Sequence, residues 1–386
     1  MYDVVVVGGG PAGSQAAKEA ARYGLRVLLI ERKKYVGRPV HCTGLLSTRT
    51  IETLKISMDS ILNEIKGAHI YSPNGKRVTI DAEEVKAYVV NRETFDNELL
   101  QRAREEGVEV WLETEGIAVD GRMVKVDCKG VEKWIKAEIF VGAYGSKNHG
   151  NSLMDFPLPY KNLCGLQIVV SYEAKDRSFV ELFFGNRYTD CFFGWAVPLD
   201  EKLAKVGLVA SNFAIAKNGL KELLKYIRCT SSRSPVPGII PIGPPKITVK
   251  DNLIICGDAA GHAKPTSGGG VYTGTICATI AAGTIVEYLS GSSSLKEYDR
   301  SWRSKIGREL KMGLAVHHIL TRLNDNQLNR IFDIFSKQKN IELIKKYGDI
   351  DYPSSLIKKF ISVPFIWKNI LPSSPDFLSL KKDNFY

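Results

Sequence analysis

Three short stretches hold residue types whose spacing could do chemistry. RPVHCTGLLS, at 38–47, sets Cys42 in a turn punctuated by Pro and Gly, beside His41 and four residues after Arg38. Metal sites, redox disulfides and acyl-transfer enzymes all use cysteine, and nothing local chooses among these roles. GGGPAG, at 8–13, spaces Gly8, Gly10 and Gly13 as GxGxxG, with Pro11 and Ala12 between them. Such glycines allow a sharp turn, let backbone approach a pyrophosphate, and permit close helix–strand packing. ICGDAAGHAKPTSGGGV, at 255–271, places Asp258 ahead of Gly268, Gly269, Gly270 and Val271.

The elements around these stretches say what they can hold. Residues 2–7 form an apolar run, read as a buried parallel strand; 14–24 have helical composition, and 26–31 make a second strand ending at Glu31. Strand, glycine turn, helix and strand form a βαβ unit. Its exposed N–H groups and helix dipole favour phosphate, and Pro11 fits a first helical turn. Glu31 lies 18 residues past Gly13, where a carboxylate accepts both hydroxyls of an adenosine ribose and repels a 2′-phosphate. The site therefore suits FAD or NAD rather than NADP. The second glycine segment also follows an apolar strand and opens a helix near Val271, so a cofactor with two phosphates can run across the domain. Asp258 is placed to accept from ribityl hydroxyls, and the later glycines to admit an isoalloxazine edge.

Composition narrows the class. The 386 residues are 44% hydrophobic and 25% charged, as expected of a globular chain. A formal net charge of +11 suits phosphorylated substrates or anionic lipid heads. Without a zinc finger or a long Lys/Arg block, nucleic acid is not an expected partner. Cysteines 42, 128, 164, 191, 229, 256 and 277 show no CxxC pair, so no metal is expected and a reducing interior fits. No secretory signal and no run of about 18 apolar residues is found, which predicts a cytoplasmic protein, attached at most to the membrane's cytoplasmic face.

Along the chain, 47–66 reads as mostly helix, 69–80 as two strands joined at Asn74 and Gly75, and 91–106 as an amphipathic helix. Four strand candidates lead to residue 145. Residues 164–249 are mainly strand-like, with one helix at 219–227 and a proline-rich turn at 234–245. Beyond 296 the chain is helical, basic and aromatic, and Phe365, Ile366 and Trp367 are candidates for touching a membrane interface. The expected fold is α/β: a Rossmann-like FAD-binding domain (1–150 and 250–295), an inserted mainly β substrate domain with an antiparallel sheet (151–249), and a C-terminal helical region (296–386).

In combination, GxGxxG with Glu31, Arg92 ahead of FDNEL, GAYGS at 142–146, and GDAAG followed by GGG resemble the FAD flavoprotein superfamily of aromatic hydroxylases and geranylgeranyl reductases, over roughly residues 1–290. Within it, RPVHCTG and FGWAVP (193–198) resemble segments of the archaeal geranylgeranyl reductases, the family of digeranylgeranylglycerophospholipid reductases. Trp195 and Pro198 are in register, while Val197 replaces a phenylalanine. Gly207 is at the expected distance, with Val209 in place of the next glycine. Lys147, Asn148 and His149 follow Ser146 where the family usually has arginine.

The resemblance implies FAD held by Gly8, Gly10, Pro11, Ala12, Gly13, Glu31, Arg32, Arg38, His41, Cys42, Thr43, Gly44, Arg92, Gly116, Gly145, Asp258, Gly268, Gly269, Gly270 and Val271. It implies an apolar substrate slot lined by Phe192, Phe193, Trp195 and Pro198. An isolated alkene is poorly electrophilic, so hydride delivery from reduced flavin N5 must be accompanied by protonation, with aromatic faces stabilising the developing positive charge. Cys42 is the catalytic candidate, either as proton donor, as a relay from His41, or in shaping the flavin's environment. The expected substrates are a prenyl diphosphate or a prenylated glycerophospholipid of archaeal membrane-lipid synthesis. With no second dinucleotide motif, electrons are expected from ferredoxin or from transient NAD(P)H contact. The competing readings are an FAD-dependent monooxygenase of an aromatic or polyene substrate, a non-catalytic prenyl-lipid carrier, and an RNA-binding flavoprotein.

Overall fold

Val4 and Val6 point to one side of their strand and Val5 and Val7 to the other, yet all four are buried. Only a central strand covered on both faces allows this. The computed structural model describes residues 1–146, 153–229, 231 and 233–361. The chain divides into two compact units: Met1–Val40, Arg92–Asn162 and Ile239–Leu310 form the first, and His41–Asn91, Leu163–Gly238 and Lys311–Tyr386 the second.

In the first unit, Leu253–Ile255, Val131–Gly142, Tyr2–Val7, Val27–Ile30 and Glu109–Trp111 run parallel in that spatial order, with Val249–Lys250 antiparallel at one edge. Helices Pro11–Arg22 and Val271–Leu289 belong to the core on one face, where Ala16, Ala17, Ala20, Ala278, Ala281 and Ala282 are buried and small enough for close approach. The other face is covered by an antiparallel meander of Thr114–Asp120, Met123–Cys128 and the first half of Val131–Gly142, through Val124, Val126 and Ile135. That long strand changes partner between Lys136, opposite Met123, and Ala137, opposite Tyr2.

The second unit is built on a seven-stranded sheet ordered Val236–Ile242, Lys161–Ser171, Leu203–Ala210, Gly194–Pro198, Phe179–Phe183, Gly67–Tyr71 and Arg77–Asp81. Beside it lies a three-stranded sheet of Leu45–Ser47, Ala87–Val90 and Ile61–Ile65. Ile168, Val170, Ala196, Val206 and Leu208 share a core with Ala216, Leu220 and Leu223 of helix Phe213–Tyr226, which Asn212 caps. The C-terminal helices are fastened to this unit by Lys76–Asp333 (2.8 Å) and Lys345–Glu83 (2.7 Å) ion pairs and by both Arg49 terminal nitrogens on the Asp349 carboxylate.

The expected α/β plan holds, but its divisions move. Residues 41–91 do not belong with the glycine turn, because Gly67–Tyr71 pairs in parallel with the distant Phe179–Phe183. The described residues beyond 296 are not a separate region: Tyr298, Trp302, Ile306 and Leu310 are buried in the first unit's core, and 311–361 join the second. Of 47–66, only Thr48–Leu54 is α-helix; Ile61–Ile65 is a strand, with Asn63 and Ile65 buried against exposed Leu62 and Glu64. The helix expected at 219–227 starts earlier, at Phe213. The proline-rich 234–245 contains the strand Val236–Ile242, which tolerates Pro237 and Pro241 because it lies at the sheet edge. Phe365, Ile366 and Trp367 lie outside the described residues, as do Lys147, Asn148 and His149.

Candidate active-site residues

In the first unit the glycine turn is built for close approach. Gly8 has φ +113°, and a side chain there or at Gly13 would be driven into backbone carbonyl oxygens, of Ala143 and of Gly8 respectively. Gly10 has open space beside it. No side chain caps the helix that starts at Pro11, and none caps the one that starts at Val271. The two helix starts lie together: a Cβ on Gly257 would be 2.9 Å from Ala12 Cβ, and one on Gly274 would be 3.7 Å from the same atom. Two sets of first-turn N–H donors thus occupy one region.

Glu31 is pinned beside this turn. One carboxylate oxygen accepts from Gly9 N (2.8 Å) and the other from Lys33 N (2.9 Å). Asp258 reaches the second helix start, where its Oδ1 is 2.7 Å from the position a Cβ on Gly270 would take. Burial raises its pKa to about 6, against the opposing pull of Arg92. Arg92 makes a paired contact with Asp96 at 2.9 and 3.0 Å. Open glycine, uncapped helix starts and the carboxylates of Glu31 and Asp258 fit a dinucleotide such as FAD, which Gly10–Gly13, Glu31 and Asp258 would hold.

Other expected cofactor residues are placed differently. Arg32 is exposed, and Arg38 is an exposed side chain paired with Glu93 at 2.7 Å over the Tyr35 ring. Gly116 packs against Val7 and Ile30 at the strand tips, and Gly145 sits in open space at φ +77°. Gly268 N donates to Lys264 O (2.8 Å) and Lys264 N to Gly269 O (3.1 Å), closing the loop that ends at Gly270. Lys264 and His262, both buried there, were not singled out by the sequence. Burial and then Arg303 push His262 down to about 3, so it stays neutral beside the Trp302 ring.

His41, Cys42, Thr43 and Gly44 belong to the second unit. Lys205 Nζ donates to Thr43 O (2.8 Å) and Cys42 O (3.2 Å), and Thr43 Oγ1 donates to Gln167 Oε1 (3.1 Å). His41 Nδ1 lies 2.7 Å from Pro237 O, and Gly44 N donates to Cys42 Sγ at 3.4 Å. Lys205 and Gln167 escaped the sequence reading, although a lysine inside the apolar run AKVGLVA was the available signal.

The aromatic candidates assemble in the same unit. Trp195 meets Phe193 edge-on at 6.5 Å, and Phe193 stacks on Phe192 at 4.5 Å. Phe184 touches Phe193 at 5.4 Å and Phe332 at 5.6 Å, while Phe192 reaches His317 at 6.1 Å, so C-terminal helices extend the row. Trp195 pairs across the sheet with Gly207, where a Cβ would come 2.7 Å from the indole. The glycine is what makes room for the ring. Trp195 Nε1 is buried without a hydrogen-bond partner among the described residues. Pro198 ends the strand three residues on, its carbonyl held by Asn63, and is not part of the ring row.

Gln167, Gly207 and Trp195 are successive cross-strand partners, and so are Val169, Lys205 and Val197 two residues along. With a side-chain period of two, both rows lie on one face of the sheet. The side chains that hold the Cys42 turn and the indole are therefore neighbours on that face, Lys205 and Trp195 being diagonal at about 7–8 Å. The small sheet contributes through Val90, whose N–H donates to Gly44 O (2.8 Å) and whose carbonyl oxygen would stand 2.6 Å from a Cβ on Gly44.

Four similarities to known proteins bear on this arrangement. The family model described as lycopene cyclase protein matches residues 3–350. A digeranylgeranylglycerophospholipid reductase of Methanocaldococcus jannaschii is 30% identical over 384 residues, 93% of this chain and 97% of its own. A geranylgeranyl bacteriochlorophyll reductase-like protein of Thermoplasma acidophilum superposes with a TM-score of 0.85 at 24% identity, covering 95% of this chain and 98% of its own. A flavin-dependent brominase shares the fold with a TM-score of 0.73 at 16% identity, over 94% of this chain and 99% of its own. The fold is thus one that flavin-dependent enzymes use. The chain belongs to the family of archaeal digeranylgeranylglycerophospholipid reductases and to the family described as lycopene cyclase protein.

Proposed function

We propose that this protein binds FAD and reduces the isolated C=C bonds of geranylgeranyl chains, carried by a membrane ether-lipid precursor or by geranylgeranyl diphosphate. The observation that supports the reading is the shared sheet face: Lys205 and Gln167, which bind the Cys42–Thr43 turn, lie on the same face as Trp195, from which the aromatic row starts. Reduced FAD supplies hydride when bound. The chain's own part is to bind, to exclude water and to deliver a proton. Phe192, Phe193 and Trp195 give an apolar wall for a polyprenyl chain, and their ring faces favour positive charge developing at the more substituted carbon. Cys42 is the proton donor of this reading: its S–H bond breaks as the new C–H bond forms, and water restores the thiol. Electrons come from a protein donor such as ferredoxin or from transient NAD(P)H contact, and the lipid is met at the membrane surface.

The test is anaerobic. FAD-loaded protein, photoreduced, is mixed with geranylgeranyl diphosphate and, separately, with a digeranylgeranyl glycerophospholipid, and mass spectrometry counts the hydrogens gained. Addition of hydrogen in pairs to at least one substrate is expected, with none in a Glu31→Arg control that cannot retain FAD. No gain with either lipid would sink the reading, and oxygen incorporation after readmitting air would replace it with a monooxygenase.

A further inference from the structure

We propose that Lys205 is a positioning residue for Cys42, holding the thiol turn at one orientation beside the aromatic row. The inference rests on the reading of Cys42 as proton donor. Lys205 belongs to the strand Leu203–Ala210, between Val169 and Val197 on the neighbouring strands, and is only 8% exposed. An ammonium group withdrawn from water carries a desolvation penalty that an aliphatic side chain in the same place would not. What it gains is specific: charge-assisted hydrogen bonds to two successive carbonyls, Cys42 O at 3.2 Å and Thr43 O at 2.8 Å.

Gripping both carbonyls fixes the peptide plane between Cys42 and Thr43. The flanking residues are held as well, Thr43 by Gln167 and His41 by the Pro237 carbonyl. With the backbone set, the thiol keeps little freedom besides rotation about its own Cα–Cβ bond, and the Gly44 N–H at 3.4 Å from Sγ favours one rotamer. Lys205 and Gly207 share a strand face, so one strand both makes room for Trp195 and orients Cys42. A proton donor misplaced by about 1 Å loses much of its effect, which gives this buried lysine a function in catalysis without touching substrate.

The experiment compares Lys205→Met, Lys205→Arg, Cys42→Ala and the Cys42→Ala/Lys205→Met double variant, all FAD-loaded. The readouts are single-turnover reduction of the geranylgeranyl lipid and iodoacetamide labelling of Cys42 followed peptide by peptide. Lys205→Met is expected to keep the flavin spectrum, to slow reduction about tenfold or more, and to change the Cys42 labelling rate about threefold or more. Lys205→Arg, which keeps charge and donors, should recover most of both. The double variant should be no slower than Cys42→Ala alone, because a residue that acts through Cys42 has nothing left to act on. Wild-type reduction and labelling in Lys205→Met, or defects that multiply in the double variant, would overturn the proposal. If Lys205→Met does not fold, Lys205→Gln takes its place under the same criteria. If the wild type reduces no prenyl lipid, the substrate reading fails, while the labelling comparison still decides whether Lys205 orients Cys42.

Discussion

Asp258 is a carboxyl group whose surroundings oppose its charge: burial raises its pKa from 3.8 to about 6, with Arg92 pulling the other way. The consequence for the protein without cofactor has a definite sign. Because the folded value lies above the unfolded one, the folded chain holds this proton more tightly, so the contribution to stability is full below 3.8 and is lost as pH rises to about 6. Asp258→Asn removes that loss. The variant should therefore gain on wild-type apoprotein between pH 4 and pH 7, by about 2–3 kcal/mol, in urea unfolding at each pH. A difference that stays constant with pH would show that Asp258 ionises in the fold as it does in water. The same substitution should weaken FAD binding, since a carboxylate is the better acceptor for ribityl hydroxyls.

The strand Leu203–Ala210 is the element on which the second unit's site depends. Its alternate residues Ala204, Val206 and Leu208 face the core with Ile168, Val170 and Ala196, while Lys205 and Gly207 face the other way. At Gly207 a Cβ would stand 2.7 Å from Trp195 Cζ2, 2.7 Å from Gln167 Cβ and 2.8 Å from Leu166 O. The backbone oxygen cannot move without breaking the sheet, so Gly207→Ala must push the indole or the strand. A cost of about 1–3 kcal/mol is expected in the urea midpoint, with slowed lipid reduction and unchanged FAD binding. Unaltered stability and turnover would mean that the sheet absorbs a methyl group here, and that Trp195 is not held by its cross-strand neighbour.

At the scale of the whole molecule, the formal charge of +11 is the most general property the chain offers a partner. An acidic electron carrier would be steered towards such a surface, and steering weakens as salt shortens the reach of charge. If reduced ferredoxin is the donor, its rate of flavin reduction should fall about tenfold or more between roughly 0.05 and 0.5 M salt. Rapid saturable reduction by NADPH, with no response to ferredoxin at any salt concentration, would assign the electrons to the nucleotide instead. Among the described residues no helix is long and apolar enough to cross a membrane.

What could be read directly was local placement. Gly8, Gly13 and Glu31 lie within a single βαβ unit, where a turn, a helix start and a strand end are near in the chain, and the structure forms that turn, helix and strand there. The α/β plan was legible for the same reason, through alternating apolar runs and helical stretches. What the tertiary structure decided is everything that depends on long-range strand pairing. The parallel pairing of Gly67–Tyr71 with Phe179–Phe183 moves residues 41–91, and Cys42 with them, out of the unit that holds the glycine turn. Lys205 becomes a clamp only because it faces a turn more than 160 positions earlier in the chain, and Phe332 joins the aromatic row only because its helix packs on the same unit as Phe184. A sequence pattern records which side chains want burial and where the backbone can turn; it does not record which distant partner supplies the burial, and that choice is what brings the lysine and the indole onto one sheet face and the Cys42 turn onto the lysine.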